Sequence, residues 1–113
     1  MALSRALRHM WDHYDDLELS VDTIAATAGF SRRKLERLFR SELNQTINEA
    51  LLERRLERCC ELLITTDIHV SNVCTAIGMR SREHLHRAFK RIYGTTMKQY
   101  RQEHARPGGH ELK

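Results

Sequence analysis

The chain has 113 residues, 41% of them hydrophobic and 30% charged, a mix that suits one compact soluble domain or two very small ones. No apolar run approaches the ~18 residues of a membrane span, and the opening MALSRALRHMWDHYDD is too polar for a secretory signal. Cys59, Cys60 and Cys74 form no CxxC pair, so neither a metal site, a disulfide framework nor a cofactor is expected, and the protein reads as reduced and cytoplasmic.

Leu3, Leu7, Met10, Trp11 and Tyr14 share one 3.6-residue face and predict a first helix, with Trp11 as a core anchor. Ser20 is placed to cap a helix from Val21 to Ala28, with Leu19 and Ile24 as a hydrophobic staple and Gly29 as its stop. Ser31 caps the next helix, which runs to about Leu43 and ends at Asn44 in a left-handed position. Thr46-x-x-Glu49 is a capping box that opens a long helix to about Ile64. On it Ile47, Leu51, Leu52, Leu56, Cys59, Leu62 and Leu63 face inward, and Glu49, Glu53, Glu57 and Glu61 form a solvated row. The β-branched TTDIHVSNV has no other strand to pair with, so it reads as a turn and a short helix from about Val70.

The pattern then repeats. Val21, Ile24 and Gly29 match Val70, Val73 and Gly78 at a spacing of 49. Leu35, Phe39 and Asn44 match Leu85, Phe89 and Gly94 at a spacing of 50, so the second copy has one more residue in its turn. Thr46-x-x-Glu49 is echoed by Thr96-x-x-Gln99. Two copies of short helix, glycine turn, basic helix and capped continuation make two helix-turn-helix units. The expected class is all-α with about seven helices: a first unit at 1–45, a linker helix at 46–66, a second unit at 67–104 and a disordered tail at 105–113.

Net charge is only +4, but it is unevenly spread. Residues 31–40 and 80–91 each carry +4, which leaves the rest of the chain at −4. Two local positive patches on an acidic body point to a polyanion. In a helix-turn-helix the second helix enters the major groove and presents its N-terminal residues to base edges. There arginine reaches guanine with two parallel bonds. Arg33, Glu36 and Arg37 share a face in the first unit, and Arg82, Glu83, His84 and Arg87 form the outward set in the second. These are the expected base contacts, with Glu36 and Glu83 either accepting from a cytosine amino group or orienting a neighbouring arginine. Arg32, Lys34, Arg40, Arg80, Lys90 and Arg91 suit phosphates, and Ser31 and Ser81 are caps first and phosphate contacts second. The linker helix, at ~1.5 Å per residue, would span nearly 30 Å. That is close to one turn of duplex, so the two readers are expected to enter successive major-groove segments.

These residues resemble the AraC/XylS transcription regulators over about residues 3–104. GMRSREHLHRAFKRIYGTTMKQYR is the strongest part, supported by IAATAGFSRRKLERLFRSEL and RRLERCCELL. The resemblance implies a seven-helix DNA-binding domain whose third and sixth helices read DNA, and transcription activation through RNA polymerase contact, usually in bacteria; a nucleoid-associated place in the cytoplasm is expected with it. It points to the same base-contacting positions. Met97 stands where the family usually has proline, Met79 where an aromatic is usual, and Asn44 where glycine is usual. SRRKLERLF is similar to a subgroup whose N-terminal domain looks like a glutamine amidotransferase, so the chain is expected to be either a stand-alone regulator or, preferentially, the C-terminal part of a longer one. A monomer is expected, since packing leaves no apolar face over, with any dimerisation left to a further domain.

Two rival functions follow from other residues. His9 and His13 are i, i+4, but HMWDH is no HExxH and no nucleophile elbow or phosphate loop accompanies it, so an enzyme is not expected. A helical adaptor would use the apolar stripes and leave the basic helices idle. Binding to single strands or RNA is disfavoured, because the basic patches contain no exposed stacking pair.

Overall fold

The computed structural model describes residues 2–104, and the expected tail at 105–113 lies outside them. Seven α-helices and no strand are found among the described residues: α1 (Ser4–His13), α2 (Val21–Ala28), α3 (Arg32–Leu38), α4 (Ile47–Thr65), α5 (Val70–Ala76), α6 (Arg82–Tyr93) and α7 (Met97–His104). They form two compact units, Met1–Arg55 and Leu56–Lys113.

In the first unit, Leu3, Ala6, Met10, Ile24, Leu35, Phe39 and Ile47 make a core with exposures of 0–3%. Trp11 is not part of it and stays 41% exposed. The buried stripe of α1 is centred on Leu3, Ala6 and Met10, and Trp11 lies about 100° beyond Met10, off its edge. Ile92 and Tyr93 in the second unit are also exposed, at 52% and 37%, so packing does not use up every apolar side chain.

The turn into α2 is closed by local side chains. Ser20 Oγ accepts from the Thr23 N–H at 3.1 Å while the Ser20 N–H donates to Thr23 Oγ1 at 3.1 Å. Leu19 is partly buried against the core cluster that contains Ile24, as the staple requires. Gly29 follows at φ 79°, a left-handed stop that glycine adopts without a Cβ clash. The segment begun by α3 does not end as an α-helix. Phe39–Leu43 form a π-helical turn, and Asn44 closes it at φ 54°. Asparagine tolerates this conformation better than most side chains.

Thr46 and Glu49 make the capping box of α4: the Thr46 N–H donates to Glu49 Oε1 at 2.8 Å and the Glu49 N–H to Thr46 Oγ1 at 3.0 Å. The Thr46 amide, with smaller help from its hydroxyl and from Arg40, holds the Glu49 carboxyl below its usual 4.5 against some desolvation. A carboxyl depressed by folding stabilises above its unfolded value, and that stabilisation is lost as pH falls through the folded one. Glu49→Gln is therefore expected to lower the thermal midpoint at pH 7, with the gap to the unchanged chain closing as pH drops below about 4. A gap independent of pH would show that the charge is not what matters there. The second unit uses a neutral version, with the Thr96 N–H donating to Gln99 Oε1 at 3.3 Å and the Gln99 N–H to Thr96 Oγ1 at 3.1 Å.

The expected inward stripe of α4 is buried except at Leu52, which is half-buried, while Ala50 joins the core at 3%. Glu49, Glu53, Glu57 and Glu61 are all exposed. The buried residues of the second unit include Leu56, Leu63, Val73, Ile77, Leu85, Phe89 and Met97. Met97 begins α7 and Met79 plugs the α5–α6 turn at 6% exposure, so both family departures are absorbed by the core. Cys59 Sγ lies 3.6 Å from Met97 Sδ, and burial pushes its thiol up to about 12, which suits a protonated core residue.

One arginine closes each unit over a long loop of sequence. In the first, Arg55 Nε donates to the Tyr14 carbonyl at 2.8 Å, just past α1. In the second, Arg101 Nε donates to Leu63 O at 3.0 Å and its Nη2 to Thr66 O at 3.2 Å, which satisfies carbonyls left open at the end of α4.

Candidate nucleic-acid interface

The second helix of each unit carries the basic patch. Ser31 Oγ accepts from the Lys34 N–H at 3.1 Å and Ser81 Oγ from the His84 N–H at 3.1 Å, so both serines cap their helices. Each cap starts its reader at a defined residue, Arg32 or Arg82. The inward positions then follow from the 3.6-residue period. Leu35 and Phe39 are fully buried in the first unit, and Leu85, Ala88 and Phe89 in the second. Anchoring those residues turns the remaining positions outward. All fifteen residues expected to meet DNA are exposed: Ser31, Arg32, Arg33, Lys34, Glu36, Arg37 and Arg40 on one reader, and Arg80, Ser81, Arg82, Glu83, His84, Arg87, Lys90 and Arg91 on the other.

Their partners divide them. Arg32 reaches Glu36 Oε2 at 3.2 Å and Asp22 Oδ1 at 3.6 Å, which ties α3 to α2 and already occupies its guanidinium. Glu36 thus orients Arg32 and not Arg33 or Arg37. Lys34 Nζ sits 5.1 Å from the centre of the Phe30 ring, a cation–π contact across the turn. Among the described residues Arg33 and Arg37 enter no ion pair, and their guanidinium groups face solvent. In the second unit Glu83 approaches Arg87 at 3.8 Å, a loose pair with both side chains well exposed. Such exposed pairs are worth ~1 kcal/mol or less, so they give way readily to a stronger partner.

A cleft of about 470 Å³ flanks the first reader. Arg37 and Arg40 line it together with Thr46 and Asn48 at the start of α4, and Val21 and Ile47 supply its apolar lining. The site reading of the sequence did not include Thr46 or Asn48. Their signal was the capping box itself, which brings the first turn of α4 beside the reader. His9 and His13 lie elsewhere, on α1. Their rings stack at 4.4 Å and the His13 Nδ1 is 3.0 Å from the His9 carbonyl. Among the described residues no three His, Cys, Asp or Glu side chains converge as a metal cage.

The helix-turn-helix domain family matches residues 19–103. The regulatory protein SoxS of Salmonella typhimurium is 31% identical over 90 residues, which are 80% of this chain and 84% of SoxS. A transcriptional regulator of Chromobacterium violaceum with an AraC-type DNA-binding domain has the same fold, with a TM-score of 0.82 and 33% identity over 95% of each chain. The chain belongs to the AraC/XylS family of helix-turn-helix DNA-binding domains. Within that family, the transcriptional activator NphR of Rhodococcus is 36% identical over 106 residues, or 94% of this chain. The chain spans only 31% of the length of NphR. The DNA-binding domain of AdpA, solved with a target DNA, matches 98% of this AraC/XylS-type chain with a TM-score of 0.84 and 28% identity.

Proposed function

We propose that this domain binds duplex DNA sequence-specifically and regulates transcription, with α3 and α6 each entering a major-groove segment. The observation that carries this reading is the repeated reader: a serine-capped helix, anchored by a buried Leu and Phe, with an exposed arginine six residues past the cap at Arg37 and Arg87. The AdpA domain solved with a target DNA supports it. Arg33 and Arg37 read base edges in the first segment, with Glu36 joining them only by releasing Arg32, and Arg82, Glu83, His84 and Arg87 do so in the second. Arg40, Arg80, Lys90 and Arg91 hold phosphates, joined by Lys34 and the Ser31 and Ser81 helix starts. Arg32 holds a phosphate only by loosening its clasp on Asp22 and Glu36. The sign of regulation follows the relatives called activators, NphR among them. RNA polymerase is the partner this entails, in the nucleoid.

Selection of bound duplexes from a random library of ~30 base pairs, about three helical turns, tests the reading. Two informative patches are expected. One patch alone would reduce one reader to an electrostatic anchor. Enrichment of nothing, with binding that vanishes at modest salt, would leave only non-specific affinity and end the proposal.

A further inference from the structure

The repeat shows where the two readers differ. In the register that pairs Leu35 with Leu85 and Phe39 with Phe89, Arg32 pairs with Arg82 and Arg37 with Arg87. The first and sixth positions of both readers are therefore arginine. Between them, Arg33, Lys34 and Glu36 are replaced by Glu83, His84 and His86. The first reader carries fixed charges at its third and fifth positions, and the second carries two imidazoles.

Both imidazoles are exposed. The cap occupies only the backbone of His84, whose N–H donates to Ser81 Oγ at 3.1 Å. Neither ring has a hydrogen-bond or ion-pair partner among the described residues. At about 100° per residue, His84 lies some 60° from Arg87 on the outward side of α6, towards Arg91. His86 lies about 100° to the other side, next to Lys90. Its counterpart Glu36 lines the cleft beside the first reader with Arg37 and Arg40, whose own counterparts are Arg87 and Lys90. One histidine thus sits on the face that enters the groove and the other on its flank.

We infer that the second reader is proton-linked: His84 and His86 meet DNA as imidazolium, so the second unit tightens on a duplex as pH falls below neutrality and the first does not. The inference rests on the DNA-binding reading above. Imidazole is the side chain that ordinarily changes charge between pH 5 and 8. An anionic neighbour favours its charged form. On α6 the charged neighbours are Arg82, Glu83, Arg87, Lys90 and Arg91, and the preceding turn adds Arg80. The adjoining α5 carries only the buried thiol of Cys74, with His69 at its cap. From α7 come Lys98, Tyr100, Arg101, Glu103 and His104, of which Arg101 is turned to the end of α4. Glu83 is the one anion close in sequence on α6 or its turn, and it leans to Arg87. DNA phosphates supply the anionic partner that the rings lack. A proton taken up on binding makes affinity rise as pH falls.

The test measures the affinity of the full chain for the selected duplex by fluorescence anisotropy, from pH 8 to 5.5 at fixed ionic strength. Uptake of a proton by each imidazole on binding is expected to tighten affinity about 10-fold per histidine across this range, or ~100-fold for both. His84→Gln or His86→Gln should keep roughly 10-fold of that response, and the double variant should be nearly flat. His86→Lys should lose the response at that position and bind more tightly at pH 8. A flat profile for the unchanged chain overturns the inference. So does a steep profile that survives in the double glutamine variant, since the protons then belong to other histidines. Binding to no duplex at any pH would instead remove the DNA reading, and this inference with it.

Discussion

Arg37→Ala is expected to weaken binding to the selected duplex by about 1–3 kcal/mol, roughly 5- to 150-fold, and to relax the preference at one base pair. Arg37 is the reader arginine best placed for such a contact. It is exposed, it enters no ion pair among the described residues, and it follows a helix start fixed by the Ser31 cap. Its helix is held from behind by Leu35 and Phe39, both fully buried, so the guanidinium starts from a rigid base. Arg87→Ala should do the same at the other patch. Its loss should be the smaller of the two, because Glu83 already competes for that guanidinium at 3.8 Å. Arg40→Ala and Lys90→Ala should behave differently. A phosphate contact carries no sequence information, so these variants should weaken all duplexes alike and lower the salt slope by about 1. Equal losses on selected and random DNA for all four would show that the readers are misassigned.

Phe39→Ala should be the most damaging core substitution in the first unit, costing about 3–5 kcal/mol. Phe39 has no exposed surface and joins Leu35 on α3 to Ile24 on α2 and Ile47 on α4 within one cluster. Domains of this size hold only ~5–15 kcal/mol in total, so the variant should be partly unfolded near body temperature. Urea unfolding followed by circular dichroism gives the number. Trp11→Ala is the contrast. Trp11 is larger but 41% exposed, and it should cost well below the Phe39 variant. If the two cost the same, the boundary of the core has been drawn in the wrong place.

The contrast between these two aromatics shows what the sequence carries and what it lacks. Caps were legible because their chemistry is local: Ser20, Ser31, Ser81, Thr46 and Thr96 each accept from an N–H three residues on. The left-handed stops at Gly29, Asn44 and Gly94 were legible for the same reason. Trp11 was misplaced because an apolar count gives weight to size. The stripe of α1 is in fact centred through Ala6, which is small and fully buried. Ala50 and Leu52 repeat the lesson on α4, where the smaller residue is the more deeply buried. The π turn at Phe39–Leu43 left no trace in residue type, since any side chain can occupy it. At the reader surface the sequence identified outward residues and allowed Glu36 a neighbouring arginine, but not which one. That Glu36 turns to Arg32, and through it to Asp22 on α2, depends on helix packing.

The two long-range arginine caps bear on how the protein is made. Arg55 reaches back 41 residues to Tyr14, and Arg101 reaches back 38 residues to Leu63. Neither contact exists until its arginine has left the ribosome. The closing contact of the first unit needs residue 55 to have emerged, whereas that of the second needs residue 101. A chain emerging N-terminus first can therefore shut one half while the other is still being translated. The last carbonyls of α4 are a different matter, because they wait for α7. Until then the Glu61 and Leu62 carbonyls can be met locally by the Thr65 and Thr66 hydroxyls, whereas Leu63 O and Thr66 O have no Arg101 donor before α7 is in place.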